Sequence, residues 1–220
     1  LDKGTRHPNL ALMKISAFHK DKGNSVKLLL DYGDIPKLDK VFISKVFSYT
    51  NVPENLFEYK NIVIGGTGFF EDGGKNLDYE IEHHMPDYHL YDQYISNAIS
   101  KGHINGFKDY LDYSIGFTTR GYFRKSEFCV NKKYDHVFFH SPVKEFLDVT
   151  RKGIYLWDDN FLGFQDWEKI IDDLEATEKP FQFRQGLDIR LLTEKKAFRL
   201  AKTRYDGDFI FAFDFIKDKK

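Results

Sequence analysis

Several short runs hold residue types that can do chemistry. Asp158, Asp159 and Asn160 stand side by side after an apolar run. Two carboxylates and an amide there can accept hydrogens from an amino or hydroxyl group, though the same types make Asx turns and helix caps unaided. Residues 119–130 carry Thr119, Arg120 and Gly121, then Tyr122, Ser126, Phe128 and Cys129. Cys129 is the single cysteine of the chain and so its one possible thiolate. Tyr122 and Ser126 offer only hard oxygen, a poor match for soft-metal chemistry. Glu80, Glu82, His83, His84 and Asp87 are oxygen and nitrogen donors. Adjacent histidines diverge on a strand or a helix, however, so this run reads as a solvated acidic segment rather than a chelate. His136 and His140 have the i, i+4 spacing of helical metal ligands, but Val137, Phe138 and Phe139 between them read as strand. Gly65, Gly66, Thr67 and Gly68 could present backbone amides to a phosphate, or simply make a tight turn. Asp188 and Arg190 would share a face in a strand and serve a site, or cap the helix that follows.

The elements that must position these residues alternate between helix and strand. Pro8 and Asn9 open an amphipathic run over 10–18, with Gly23 as its stop. Residues 26–30, 40–44 and 61–64 are short apolar runs of the kind buried in parallel sheets. No strand is expected before the first helix. Residues 71–112 carry nine acids against three lysines and read as a connection with short helices. From 113 the alternation resumes, with strands over 113–119, 153–157, 181–183 and 208–213. Helices are expected over 166–176, with Trp167, Ile170, Ile171 and Leu174 on one face, and over 193–202, with Thr193 as N-cap. Four βα steps predict a barrel or an open parallel sheet, whose ligands gather at the C-terminal strand ends. Gly121, Asp158 to Asn160 and Gly186 fall there.

Composition bounds what these residues can serve. In 220 residues, 33 Lys and Arg balance 34 Asp and Glu, so nothing in the charge points to nucleic acid. Hydrophobic residues at 41% exclude a disordered chain, and 22 Phe with 13 Tyr supply a large core. No apolar run approaches the ~18 residues that a membrane span needs, so no membrane partner is expected. A lone cysteine excludes an intrachain disulfide framework and places the protein in the cytoplasm. Leu1 opens the chain and residues 215–220 close it directly after a strand-like run, which reads as a piece of something longer.

The run Thr119, Arg120, Gly121, Tyr122, Ser126, Phe128, Cys129 resembles the loop after the first barrel strand in radical S-adenosylmethionine (SAM) enzymes. That loop has the pattern Cys-x3-Cys-x-aromatic-Cys, often introduced by Thr-Arg-Gly. The resemblance extends over most of the chain. Residues 6–20, 42–47 and 64–68 are similar to the cobalamin-binding-like Rossmann domain that precedes many such barrels, and 80–88 to the linker. Residues 156–160 and 184–193 are similar to later barrel strand ends. The resemblance implies an α/β fold: an incomplete Rossmann-like layer over 1–70, an acidic linker over 71–112, and the first half of a radical SAM-type (β/α) barrel over 113–220. It puts Tyr122, Ser126 and Cys129 at the three cluster-ligand positions, with Cys129 the one metal donor retained. Phe128, Asp158, Asp159 and Asn160 would be the residues facing SAM. In the family three thiolates hold a 4Fe–4S cluster that cleaves SAM reductively. With two of three missing, this chain is expected to assemble no cluster and to be catalytically inactive. The alternative is a non-redox SAM- or nucleotide-binding scaffold. Cobalamin is not expected, since the Asp-x-His-x-x-Gly motif is absent. A half-built sheet would expose edges and favour self-association.

Overall fold

The structure, a computed structural model, describes residues 2–3, 7–103, 106–124 and 134–212. In chain order its strands are β1 (Asp2–Lys3), β2 (Val41–Lys45), β3 (Ile62–Gly65), β4 (Tyr113–Gly116), β5 (Thr119–Arg120), β6 (Phe138–Phe139), β7 (Gly153–Leu156), β8 (Phe181–Phe183), β9 (Leu187–Asp188) and β10 (Phe211–Ala212). The helices are α1 (Leu10–Asp21), α2 (Tyr79–Glu82), α3 (Asp92–Ser100), α4 (Lys108–Leu111), α5 (Trp167–Ala176) and α6 (Glu194–Leu200). The chain is mixed α/β and divides into two compact units, residues 1–110 and 111–220. Among the described residues no helix is long and apolar enough to cross a membrane.

In the first unit Asn9 caps α1, its side chain accepting from the Leu12 amide at 3.1 Å, as the Pro-Asn start predicts. Three parallel strands lie in the order β1-β2-β3. Two expectations are corrected here. A strand does precede α1: Asp2 and Lys3 pair with Ser44 and Lys45, a backbone pairing that two charged residues cannot signal by pattern. Residues 26–30 are not a strand. Leu29 joins Ile35, Val41, Ile43 and Leu56 in one core cluster and Leu28 packs against another, but Val26 is half-buried and Leu30 is exposed, so the run is covered only in part and makes no ladder. Tyr88, Tyr91, Ile95 and Tyr110, from the acidic segment, cluster with Met13 of α1.

In the second unit β4, β7 and β8 form a parallel sheet in that order. Trp167, Ile170, Ile171 and Leu174 of α5 are buried with Ile154, Leu156, Phe181 and Phe183 of the sheet. The spacing i, i+3, i+4, i+7 thus does what it predicts, each fully buried side chain contributing about 1.5–3 kcal/mol. The expected strand over 113–119 is two elements. β4 ends at Gly116, and β5 turns away to pair antiparallel with β6. The expected strand over 208–213 is reduced, among the described residues, to β10, which pairs parallel with β9.

Candidate functional site at the strand ends

Parallel pairing of β4 with β7 brings their C-terminal ends together, so Thr118 and Thr119 meet Asp158. The Asp158 side chain is 1% exposed. Its Oδ1 accepts from Thr118 Oγ1 at 2.7 Å, Thr119 N at 2.5 Å and Thr119 Oγ1 at 2.6 Å, and its Oδ2 from Thr118 N at 3.2 Å. Burial pushes this carboxyl above its ordinary range, against the four hydrogen bonds, which favour the charged form. Asp158 therefore fixes the exit of β4.

Asp159 fixes the next step. Its Oδ2 accepts from Gly121 N at 3.0 Å and lies 3.8 Å from Arg120 Nε. Gly121 has φ +96°, and a Cβ there would stand 2.1 Å from the His136 carbonyl oxygen, so the turn admits only glycine. Beyond the turn the loop is held by ions. Asp188, 5% exposed at the end of β9, accepts from Arg124 Nε at 2.9 Å and from Arg190 Nε at 2.7 Å and Nη2 at 3.1 Å. It also takes the Arg190 amide at 3.1 Å, capping the short turn Ile189–Leu191 rather than the helix that follows, whose N-cap is Thr193. The Tyr122 hydroxyl accepts from the same Arg190 guanidinium. Burial works to raise the Asp188 carboxyl, but the bonds from Arg190 and Arg124 outweigh it and hold it below the ordinary range.

Asn160 is different. It is 1% exposed, and among the described residues neither its side-chain oxygen nor its nitrogen has a hydrogen-bond partner. Around Gly163 the Phe123 ring, Val137 and the Asn160 side chain converge. The turn that follows, Phe161–Gly163, is tied to the turn Ile189–Leu191 by Lys196, whose Nζ donates to Leu162 O at 2.7 Å and Leu191 O at 3.1 Å. The arrangement is a rigid floor with one unsatisfied amide in it.

Of the residues expected to form the site, Asp158, Asp159, Asn160 and Tyr122 gather around the ends of β4, β7 and β9. Ser126, Phe128 and Cys129 lie outside the described residues. Thr118, Arg124 and Lys196 were missed by sequence reasoning. Thr118 and Arg124 adjoin or lie within the loop that drew attention, but Lys196 carried no signal beyond its place on α6.

The other candidates resolve into structural roles. The amide of Gly68 donates to Lys45 O at 2.8 Å, and those of Phe69 and Phe70 to Gly66 O at 3.1 and 3.2 Å, so the glycine run closes a tight turn against β2. Asp87 accepts from Ser16 and Lys20, both at 2.6 Å, and Glu82 pairs with Lys14. His136 bonds Asp135, whereas His140 bonds Ser141. Among the described residues no three His, Cys, Asp or Glu side chains gather as a metal site. Compared with protein-family models, curated proteins and solved structures, the chain matches none.

Proposed function

We propose that the second unit is a degenerate radical SAM-type (β/α) domain that does not cleave SAM, and that the first is an incomplete cobalamin-binding-like Rossmann layer. The family part of this reading rests on the sequence resemblance, and the absence of SAM cleavage on the state of Tyr122. At the first cluster-ligand position stands a phenol bonded to Arg190, and Arg190 is itself locked on Asp188 with Arg124. A 4Fe–4S cluster does not fit this donor set. A phenol engaged by a guanidinium, a hydroxyl at Ser126 and one thiol at Cys129 cannot supply three thiolates. No redox step follows from such a site.

The second reading, a non-redox binding protein for SAM or a nucleotide, is favoured by Asn160. A buried amide with both polar atoms unpaired among the described residues destabilises the fold by about 1–3 kcal/mol unless water or a ligand meets it. Its carbonyl and NH2 suit a ligand edge that presents a donor beside an acceptor, as adenine does. Titration calorimetry with SAM and with adenosine tests this. Asn160→Leu, which keeps the branched shape but removes the polar atoms, is expected to weaken binding by about 5–100-fold while leaving stability unchanged or higher by about 1–3 kcal/mol. Equal affinity in parent and variant would remove Asn160 from the binding site.

A further inference from the structure

The first unit contains a cavity of about 530 Å³ between α1, the extended residues 24–29 and the start of β2. That volume is in the range of small-molecule sites. Leu12, Ile15, Val26, Leu29 and Val41 give its walls an apolar part, interrupted by polar residues, and it lies where the unit's core is divided into two clusters rather than closed. Two of the polar groups meet at one ring: His19 and Lys40 both stand against Phe42, the imidazole at 5.3 Å between ring centres. His19 lines the cavity, and its Nδ1 lies 3.3 Å from the Asn24 side-chain nitrogen, a donor. Nδ1 is therefore the accepting nitrogen, and the imidazole proton sits on Nε2. Burial and the nearby charges of Lys40 and Lys22 hold the ring below its usual pKa, which keeps it a neutral donor. Lys40 lines the cavity too, with its Nζ 5.0 Å from the centre of the Phe42 ring and no ion pair among the described residues. Lys27 is engaged by Asp34 at 2.8 Å, and Asp39 is the one carboxylate on the lining. A partly apolar chamber is thus joined to a fixed N–H donor and an ammonium.

We propose that this cavity binds a medium-chain amphipathic carboxylate, its chain against Leu12, Ile15, Val26 and Leu29 and its head on His19 Nε2–H and Lys40. Charge selects the carboxylate over other apolar ligands, because a charge-assisted bond to two donors is lost when the head is an alcohol and becomes repulsion when it is an ammonium.

The test is titration calorimetry of the full chain with decanoate, decanol and decyltrimethylammonium, each below its micelle concentration. Decanoate is expected to bind one per chain, at least about tenfold tighter than decanol, with no saturable binding of the cation. Lys40→Gln is expected to weaken decanoate by about tenfold and leave decanol unchanged. Val26→Trp, which fills the chamber, is expected to abolish both. If that variant does not fold, the charge dependence from Lys40→Gln still decides the matter. Equal affinity for all three probes, decanoate binding indifferent to both variants, or an extended apolar peptide bound in preference to decanoate would each overturn the proposal.

Discussion

Asp158→Ala is expected to cost the second unit about 3–5 kcal/mol, a large fraction of the stability of an ordinary domain. The substitution removes the acceptor of two buried backbone amides and two hydroxyls. The hydroxyls can turn elsewhere; the amides cannot. Asp158→Asn keeps one oxygen in the place of Oδ1, and with it three of the four bonds, while removing a buried charge. It is expected to stay within about 1–2 kcal/mol of the parent in urea denaturation. The two variants separate hydrogen bonding from charge. Because burial raises the Asp158 carboxyl, the folded state holds this proton more tightly than the unfolded chain. Its contribution is full below the unfolded value of about 3.9 and is lost as pH rises through the folded value, and this part of the pH dependence should vanish in Asp158→Asn. An alanine variant as stable as the parent would show that the threonine pair does not depend on Asp158.

Asp188→Ala has the second-largest expected effect, with the opposite dependence on pH. It strips Arg124 and Arg190 of their shared carboxylate and leaves the Tyr122 hydroxyl on an unanchored guanidinium. The arginine side chains are 34% and 17% exposed, so water compensates part of the loss. About 2–3 kcal/mol is expected, below the value for breaking a fully buried pair. The loop beyond Gly121 should loosen, and limited trypsin digestion should then cut after Arg124 at least about tenfold faster than in the parent. Tyr122→Phe, which removes one bond from the network, should change the cutting rate far less. Since the Asp188 carboxyl is held low, its contribution is present above about pH 3.9 and is lost as pH falls through the folded value. Unchanged trypsin cleavage in Asp188→Ala would mean that the ion pairs decorate the loop without holding it.

What was legible in the sequence was local. α1 with its Asn9 cap, the apolar stripe of α5 and the Thr193 cap of α6 depend on residues within a few positions of each other, and periodicity reports them directly. The site was legible only by placement. That Asp158 to Asn160 end a strand could be read from the apolar run before them. That Asp158 would spend itself on Thr118 and Thr119 could not, since those donors lie 39 and 40 positions away and arrive through the parallel pairing of β4 with β7. Arg124 reaches Asp188 across 64 positions for the same kind of reason. The run 26–30 misled because a short apolar run is shared by buried strands and by part-exposed connecting chain, and only the ladder tells them apart. β1 was missed from the other side. A backbone pairing of two charged residues leaves no pattern at all.

The most direct test of the central claim is anaerobic iron–sulfur reconstitution, counting iron and sulfide per chain, with the Tyr122→Cys/Ser126→Cys double variant beside the parent. The parent is expected to retain no cluster and to produce no 5′-deoxyadenosine from SAM, while the variant, with three thiolates restored, takes up about four irons per chain. A parent that binds a full cluster and cleaves SAM would contradict the claim.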